Sequence, residues 1–486
     1  MTLELERPAC GYTDGVKNTF ETEKDKAIRN QIKIEDAVTA LQDAVDLYDN
    51  IGVQGELDFG FGPTTPANIP AWLSEVFGTT TSGHERRGDY ETTDGDVWSY
   101  IPAYWRRKGS VDSPRYADYS FEALDILPFS AYPDLATAAA DGYSCPQAFR
   151  QGGLKKGFFW MKYKCGNDDG RIGSKVGLTP ISLTAGATYT NSTLFGGSGI
   201  YADCVNLATA YNDGCHEITA QQAACISELQ LAHAQAATDT DACAWLDLTG
   251  TTNFPKGANT GAGTAPADIN DAACTFEMCD ATTYSGDINK SKTGSCVYPK
   301  RCTHTGQSGG ISDVNGNVYE VLIGMTQPGT SATDTTVLEA GSIYTLKDTV
   351  DVATLTGGWN GALDVWGDAA HIADLYDTVV TGVTAVASRW GGSAMSVSND
   401  TDIDTDGYKA AAVLWPASQA SLGGTNLFGN DYCYAYFRAN CAPFCFGSWV
   451  YGSDAGCCAR YWNNYRSNAY SGVGFRFAAY GRLPGS

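Results

Sequence analysis

The chain contains no run of about eighteen consecutive apolar residues, so no transmembrane helix and no membrane insertion are expected. Its opening residues, MTLELERPACGYTDG, lack a basic stretch followed by an apolar core. No secretory signal is therefore expected, and synthesis and assembly in the cytosol are. Positive charge is scarce: 32 Lys and Arg stand against 55 Asp and Glu, a net charge of −23. Such a surface repels phosphate, which argues against a nucleic-acid partner and fits a solubility device or adaptation to salt. The five histidines are isolated and no CxxC pair is matched by a second, so no metal site of the zinc type is expected. No internal repeat is evident. From residue 420 to the C-terminus there is no Lys, Glu, Gln or Met, although all four occur earlier.

What is present is a long, loop-rich chain of 486 residues, enough for one large domain and a smaller one, or for two to three domains. Residues 17 to 50 read as helix. Ile34, Val38, Leu41, Val45 and Tyr48 make a short heptad seam, which suits either an amphipathic helix packed on its own domain or a small bundle joining several subunits. Residues 58 to 95 follow with Gly, Pro and Thr clusters and read as a connecting or docking segment. From 96 the texture changes to short aromatic strands such as VWSYIPAYWRR and FFWMKYKCG between Gly/Ser/Asp/Thr loops, and a helix is expected over 216 to 238. The composition suggests an α+β domain with long loops on a small sheet.

Sixteen cysteines are many. Most read as buried free thiols, small hydrophobes in a core. Those among 274 to 302 are close enough in sequence to pair if the protein matures outside a reducing cell. In the acidic stretch 398 to 407, Asp402, Asp404, Asp406 and Gly407 match the start of a calcium loop. Val413 stands where that loop needs Glu, so a solvated acidic turn is the first reading and calcium the alternative; no other cofactor is expected.

Residues 433 to 476 alternate two kinds of position. Pro443, Gly447, Trp449, Gly452, Ser453, Ala455, Gly456, Arg466, Ser467, Gly474, Phe475 and Arg476 look structural: turn-formers and large anchors. Between them stand side chains with no common chemistry, the pattern of a diversified binding surface.

Several blocks, in order, resemble one family. They are Tyr104-Trp105-Arg106-Arg107, WMKYKCGN with Pro180-Ile181-Ser182, His216-Glu217-Ile218-Thr219 and Phe254-Pro255-Lys256-Gly257. Asp313-Val314-Asn315-Gly316-Asn317-Val318-Tyr319-Glu320 follows, and the closing Gly447-Ser448-Trp449 and Gly474-Phe475-Arg476 complete the set. From about 95 to 486 the chain resembles the formylglycine-generating-enzyme type of C-type lectin fold. Its closing segment is similar to the variable proteins of diversity-generating retroelements, found in phage tail fibres and some bacterial surface proteins.

Residues 1–95, which the resemblance does not cover, are expected to form an N-terminal helical segment for oligomerisation or virion docking; the resemblance implies that residues 96–486 are a C-type lectin-like domain with its variable region at 433–476. In that family an error-prone copy of AAC-type codons cannot yield Lys, Glu, Gln, Met or Trp. The missing residues after 420 agree with this, and Trp449 and Trp462 should be fixed.

The implied ligand-binding positions are Cys441, Cys445, Phe446, Ser448, Val450, Tyr451, Asp454, Cys457, Cys458, Arg460, Tyr461, Asn463, Tyr465, Tyr470 and Ser471. The strongest contact candidates are Tyr451, Tyr461, Tyr465 and Tyr470, since exposed tyrosines add area with few rotatable bonds. Trp449, Gly474, Phe475 and Arg476 are the implied scaffold, with Arg476 paired internally. The implied partners are a host cell-surface protein or glycan and other virion tail proteins. The implied state is a homo-oligomer such as a trimer, in a virion tail fibre or at a cell surface.

No catalytic residue is expected. The namesake's oxidase chemistry needs a spaced cysteine pair, and here Cys457 and Cys458 are adjacent while Cys441 and Cys445 precede Gly447. The Glu-Pro-Asn or Gln-Pro-Asp signature of calcium-dependent sugar-binding lectins is absent. A virion structural protein without a ligand is a further alternative.

Overall fold

The computed structural model describes residues 22–34, 47–181, 200–246, 253–259, 266–279, 290–331, 333–358, 372–383, 386–390, 400–416, 431–467 and 470–481. The chain divides into two compact units, residues 1–48 and 49–486. In the first, residues 22–34 are helical and exposed throughout, Ile28, Ile32 and Ile34 included. Val38, Leu41 and Val45 of the expected seam lie outside the described residues. Among the described residues no helix is long and apolar enough to cross a membrane.

The second unit is α+β, with several small sheets. The change of texture at residue 96 does not separate compact units: Ser74–Glu75 and Asp89–Glu91 pair in one sheet with Val97–Pro102. That first sheet has six strands, in the order Ser74–Glu75, Asp89–Glu91, Val97–Pro102, Gly157–Met161, Phe477–Tyr480 and Cys215–Glu217. Its central strands, VWSYIP and GFFWM, are buried at every position, which suits their run of aromatic and β-branched side chains.

The second sheet also has six strands, in the order Val386–Arg389, Tyr432–Ala435, Arg460–Tyr465, Cys441–Cys445, Tyr319–Val321 and Val473–Gly474. Behind it runs the helix Ala220–Ala236. Thr219 starts this helix with a capping box: its hydroxyl accepts from the Gln222 N–H, and the Gln222 side-chain oxygen accepts from the Thr219 N–H, both at 3.0 Å. The helix expected from 216 therefore begins at Ala220, because His216 and Glu217 remain in a strand paired with Ala478 and Phe477. Helix residues Ala220 to Ala234 are all buried, and the small Ala, Ser and Cys side chains allow that close packing.

The C-terminal segment joins the two sheets. Val473–Gly474 closes the second sheet, and Phe477–Tyr480 enters the first between two other strands. Arg476 sits in the crossing with no solvent exposure. Its Nε and Nη2 donate to the two carboxylate oxygens of Glu320 at 2.9 Å, and Nη1 donates to the Lys162 carbonyl at 2.9 Å. Lys164 also pairs with Glu320.

The acidic turn caps a helix. Asp402 and Asp404 are exposed, their N–H groups donating to Asp400 and Asp402 side chains, and Thr405 caps Asp406–Ala412. Among the described residues no group of three or more His, Cys, Asp or Glu is arranged to hold a metal ion.

Candidate ligand-binding face

The strand beginning at Tyr432 alternates strictly. Tyr432, Tyr434, Tyr436 and Arg438 are partly exposed, whereas Cys433, Ala435 and Phe437 are buried. With a period of two, this gives the second sheet one aromatic face and one core face. Register extends the pattern across the sheet. Tyr434 lies opposite Tyr461 and Phe444 opposite Tyr461, while Cys433 and Cys445 both lie opposite Arg460.

On the aromatic face the rings form a continuous cluster. Centroids are 5.9 Å apart for Tyr432 and Tyr434, 5.7 Å for Tyr432 and Tyr461, and 4.7 Å for Tyr319 and Tyr461. The loop after Gly447 packs onto this cluster, its Tyr451 ring 5.3 Å from Tyr319 and 5.1 Å from Tyr461. Asp454 of the same loop pairs with Arg389, whose guanidinium lies 5.4 Å from the Tyr432 ring. Further along the face, Arg438 lies 4.9 Å from the rings of both Tyr436 and Tyr465 and donates to the Tyr465 hydroxyl at 2.7 Å.

The expected contact positions divide by burial. Val450 is 65% exposed, Tyr470 50% and Tyr451 40%. Asp454, Asn463, Tyr465 and Ser471 are half-buried. Cys441, Cys445, Phe446, Ser448, Cys457, Cys458, Arg460 and Tyr461 are buried, so none of these eight offers its side chain to a ligand at the surface. Their burial has particular causes. Cys441 and Cys445 are in an interior strand of the sheet. Arg460 donates to the Ala223 carbonyl at 3.1 Å and the Ser227 hydroxyl at 2.9 Å, tying its strand to the helix behind. Phe446 is fully buried and takes φ +69°, a left-handed conformation that bulky side chains rarely adopt. Tyr461 lies beneath Tyr451.

Trp449, Gly474, Phe475 and Arg476 are all buried, and the Asn317–Glu320 block meets them in space. The Asn317 carbonyl accepts the Trp449 N–H at 2.9 Å, and the Gly472 carbonyl accepts the Tyr319 N–H at 2.7 Å. The Asn317 side chain is itself bonded to both backbone groups of Ser291. Gly447 has φ +85°, and a Cβ there would lie 2.6 Å from that of Ala455. A Cβ on Gly456 would meet the Asp431 carboxylate at 1.9 Å. That carboxylate pairs with Lys256, of the Phe254–Gly257 block, and accepts the Cys458 N–H at 2.7 Å.

The face offers contact area and hydrogen bonds, and no activated nucleophile. Burial pushes the Cys441 thiol up to about 12 and raises those of Cys445, Cys457 and Cys458 as well, so all four stay protonated near neutrality. Burial, with the Tyr461 and Tyr451 hydroxyls nearby, likewise raises the Tyr319 phenol. Tyr432, Tyr434 and Tyr436 belong to the face although sequence reasoning did not single them out, and so does Tyr319, which it named only within the Asp313–Glu320 block. The alternation Tyr432-Cys433-Tyr434-Ala435-Tyr436-Phe437 was the signal that could have found the first three.

No protein-family model matches the chain, and no curated protein does. Among solved structures, the Major Tropism Determinant U1 variant aligns at 12% identity and the M1 variant at 13%. Each alignment covers 89% of this chain and 79% of the other, with a TM-score of 0.28. A likeness at that score carries no weight for fold or function.

Proposed function

We propose that the chain is a diversified receptor-binding protein of the phage tail-fibre kind, built on a C-type lectin fold of the formylglycine-generating-enzyme type, and that it is not an enzyme. The tyrosine face and the loop after Gly447 bind a protein or glycan on a host cell. The observation that carries this reading is the division within one segment. Val450, Tyr451, Asp454, Asn463, Tyr465, Tyr470 and Ser471 reach solvent, whereas Trp449, Phe475 and Arg476 are buried. Tyrosine and arginine side chains at the surface suit recognition, and repeated copies on a particle multiply weak individual contacts. A homo-oligomer, such as a trimer, would supply those copies. The contact set is narrower than the sequence implied: the eight buried positions shape the face from beneath.

The oxidase reading is disfavoured by the burial of Cys441, Cys445, Cys457 and Cys458 and by their protonated thiols.

The test is a library randomised at Val450, Tyr451, Asp454, Asn463, Tyr465, Tyr470 and Ser471, panned against intact bacterial cells. Variants should change which cells are bound while unfolding free energy moves by less than about 1 kcal/mol. If most members unfold, or if binding to every cell type is unaltered, the reading fails. In the source genome, a near-copy of the codons for 433–476 that differs only at adenines, beside a reverse transcriptase gene, is the expected companion.

A further inference from the structure

A cavity of about 490 Å³ opens where the helix Ile200–Tyr211 meets the hairpin of Gly166–Asp168 and Arg171–Gly173 and the turn at 92–94. That volume lies within the range of about 300–1,000 Å³ usual for small-ligand sites. Trp72 forms one wall. Its indole N–H donates to the Asp213 carbonyl at 2.9 Å, and its ring packs edge-on against the buried Trp98 ring at 5.0 Å. The ring is therefore fixed in orientation while the residue stays half-buried. Arg171 is held by carboxylates: Nη1 donates to Asp96 at 2.6 Å, Nη2 donates to Asp168 at 2.7 Å, and Asp94 lies 3.4 Å from Nη1. Thr93 and Asn212 line the same space, and among the described residues neither side chain has a hydrogen-bond partner.

We propose that this cavity binds a neutral saccharide, with Trp72 as the platform for its C–H face and Asp94, Thr93 and Asn212 as contacts for its hydroxyls. A sugar ring carries an apolar face of C–H groups and an edge of hydroxyls that both donate and accept. The indole suits the face. The Thr93 hydroxyl and the Asn212 amide each donate and accept, and the Asp94 carboxylate accepts, so together they suit the edge. Other ligand classes fit less well. Asp94, Asp96 and Asp168 outnumber Arg171 and Lys175, which already pair with them, so an anion would meet net negative charge. A cation would have to take Asp94 from Arg171. A wholly apolar ligand would cover the Thr93 hydroxyl and the Asn212 amide without giving them partners. None of the lining residues lies in 433–476 or in the second sheet. The site is thus constant where the tyrosine face is read as varied, and it stands whether or not that face binds a cell.

The experiment is saturation-transfer difference NMR on the full chain, with the methyl glycosides of glucose, galactose, N-acetylglucosamine and rhamnose as probes at millimolar concentration. At least one probe should receive saturation on its ring C–H groups. Trp72→Ala should lower that signal at least about fivefold, because the ring supplies the apolar contact, and Trp72→Phe should restore part of it. Ala210 lines the cavity from an exposed position on the helix, so Ala210→Gln fills the space without disturbing the core and should also remove the signal. That variant decides the matter even if Trp72→Ala does not fold. Methyl glucuronide, which sets a carboxylate beside Asp94, should give less signal than methyl glucoside. Silence from all four neutral probes, or a signal equal in the parent and in Ala210→Gln, would overturn the site. A stronger signal from the glucuronide would overturn the assignment to neutral sugars.

Discussion

Replacing Arg476 by alanine should lower the unfolding free energy by about 3–5 kcal/mol, the cost of breaking a buried ion pair by removing one partner. The structure gives the parts of that figure. Both Glu320 oxygens lose a donor at 2.9 Å, the Lys162 carbonyl loses another, and Lys164 is left facing a carboxylate with no solvent exposure. Each hydrogen bond to a charged group contributes about 1.5–3 kcal/mol, and the void left by the side chain adds to the loss. Tyr451→Ala removes two ring contacts from a side chain already 40% exposed, so about 1 kcal/mol is expected there. Urea unfolding followed by tryptophan fluorescence measures both. A triple variant, Arg476→Met with Glu320→Leu and Lys164→Met, should recover part of the loss, because it leaves neither a carboxylate nor an ammonium unpaired at that position. Equal costs for Arg476→Ala and Tyr451→Ala would refute the division between buried anchors and replaceable surface.

Gly456→Ala should cost more than about 2 kcal/mol, because the added Cβ would lie 1.9 Å from the Asp431 carboxylate; thermal unfolding that matches the parent would contradict this. Burial lowers His216, His233 and His304 to about 4 from the ordinary 6.5, so they are neutral in the folded chain. The unfolded chain then binds more protons between those values, and the histidine contribution lowers stability as pH falls from about 6.5 to about 4. His304→Gln should weaken that fall by about a third, read from urea midpoints across the window, and an unchanged pH slope would argue against it. Trp449→Ala should cost about 3–5 kcal/mol, and a cost under 1 kcal/mol would show that this ring is not an anchor.

The aromatic strands were legible in the sequence because VWSYIP and FFWM carry residues that suit a buried sheet on both faces. The helix was legible too, but its start was not. Thr219 and Gln222 form the capping box, and the chemistry of His216 and Glu217 does not reveal that they pair with the C-terminal strand. Pro443 marks the most consequential omission. The register between Cys441–Cys445 and Arg460–Tyr465 shifts between Ala442 and Phe444, where a residue without an N–H interrupts the ladder. Counting alternate positions through that shift does not reveal which cysteines face inward. Nor does sequence show that Arg460 spends its charge on the helix behind it. The glycines and Trp449 were legible because turn geometry and ring size leave few other roles.

The buried residues of the closing segment are held by partners that lie outside it in the chain. Arg476 is held by Glu320 and Lys162, Trp449 by Asn317, Arg460 by Ala223 and Ser227, and the Cys458 amide by Asp431 with Lys256 behind it. On the proposed reading, a genetic process that rewrote only the codons for 433–476 would leave most of those partners untouched. Each new version of the segment would then be cast against the same mould, and heritable novelty there would be uncoupled from inherited foldability.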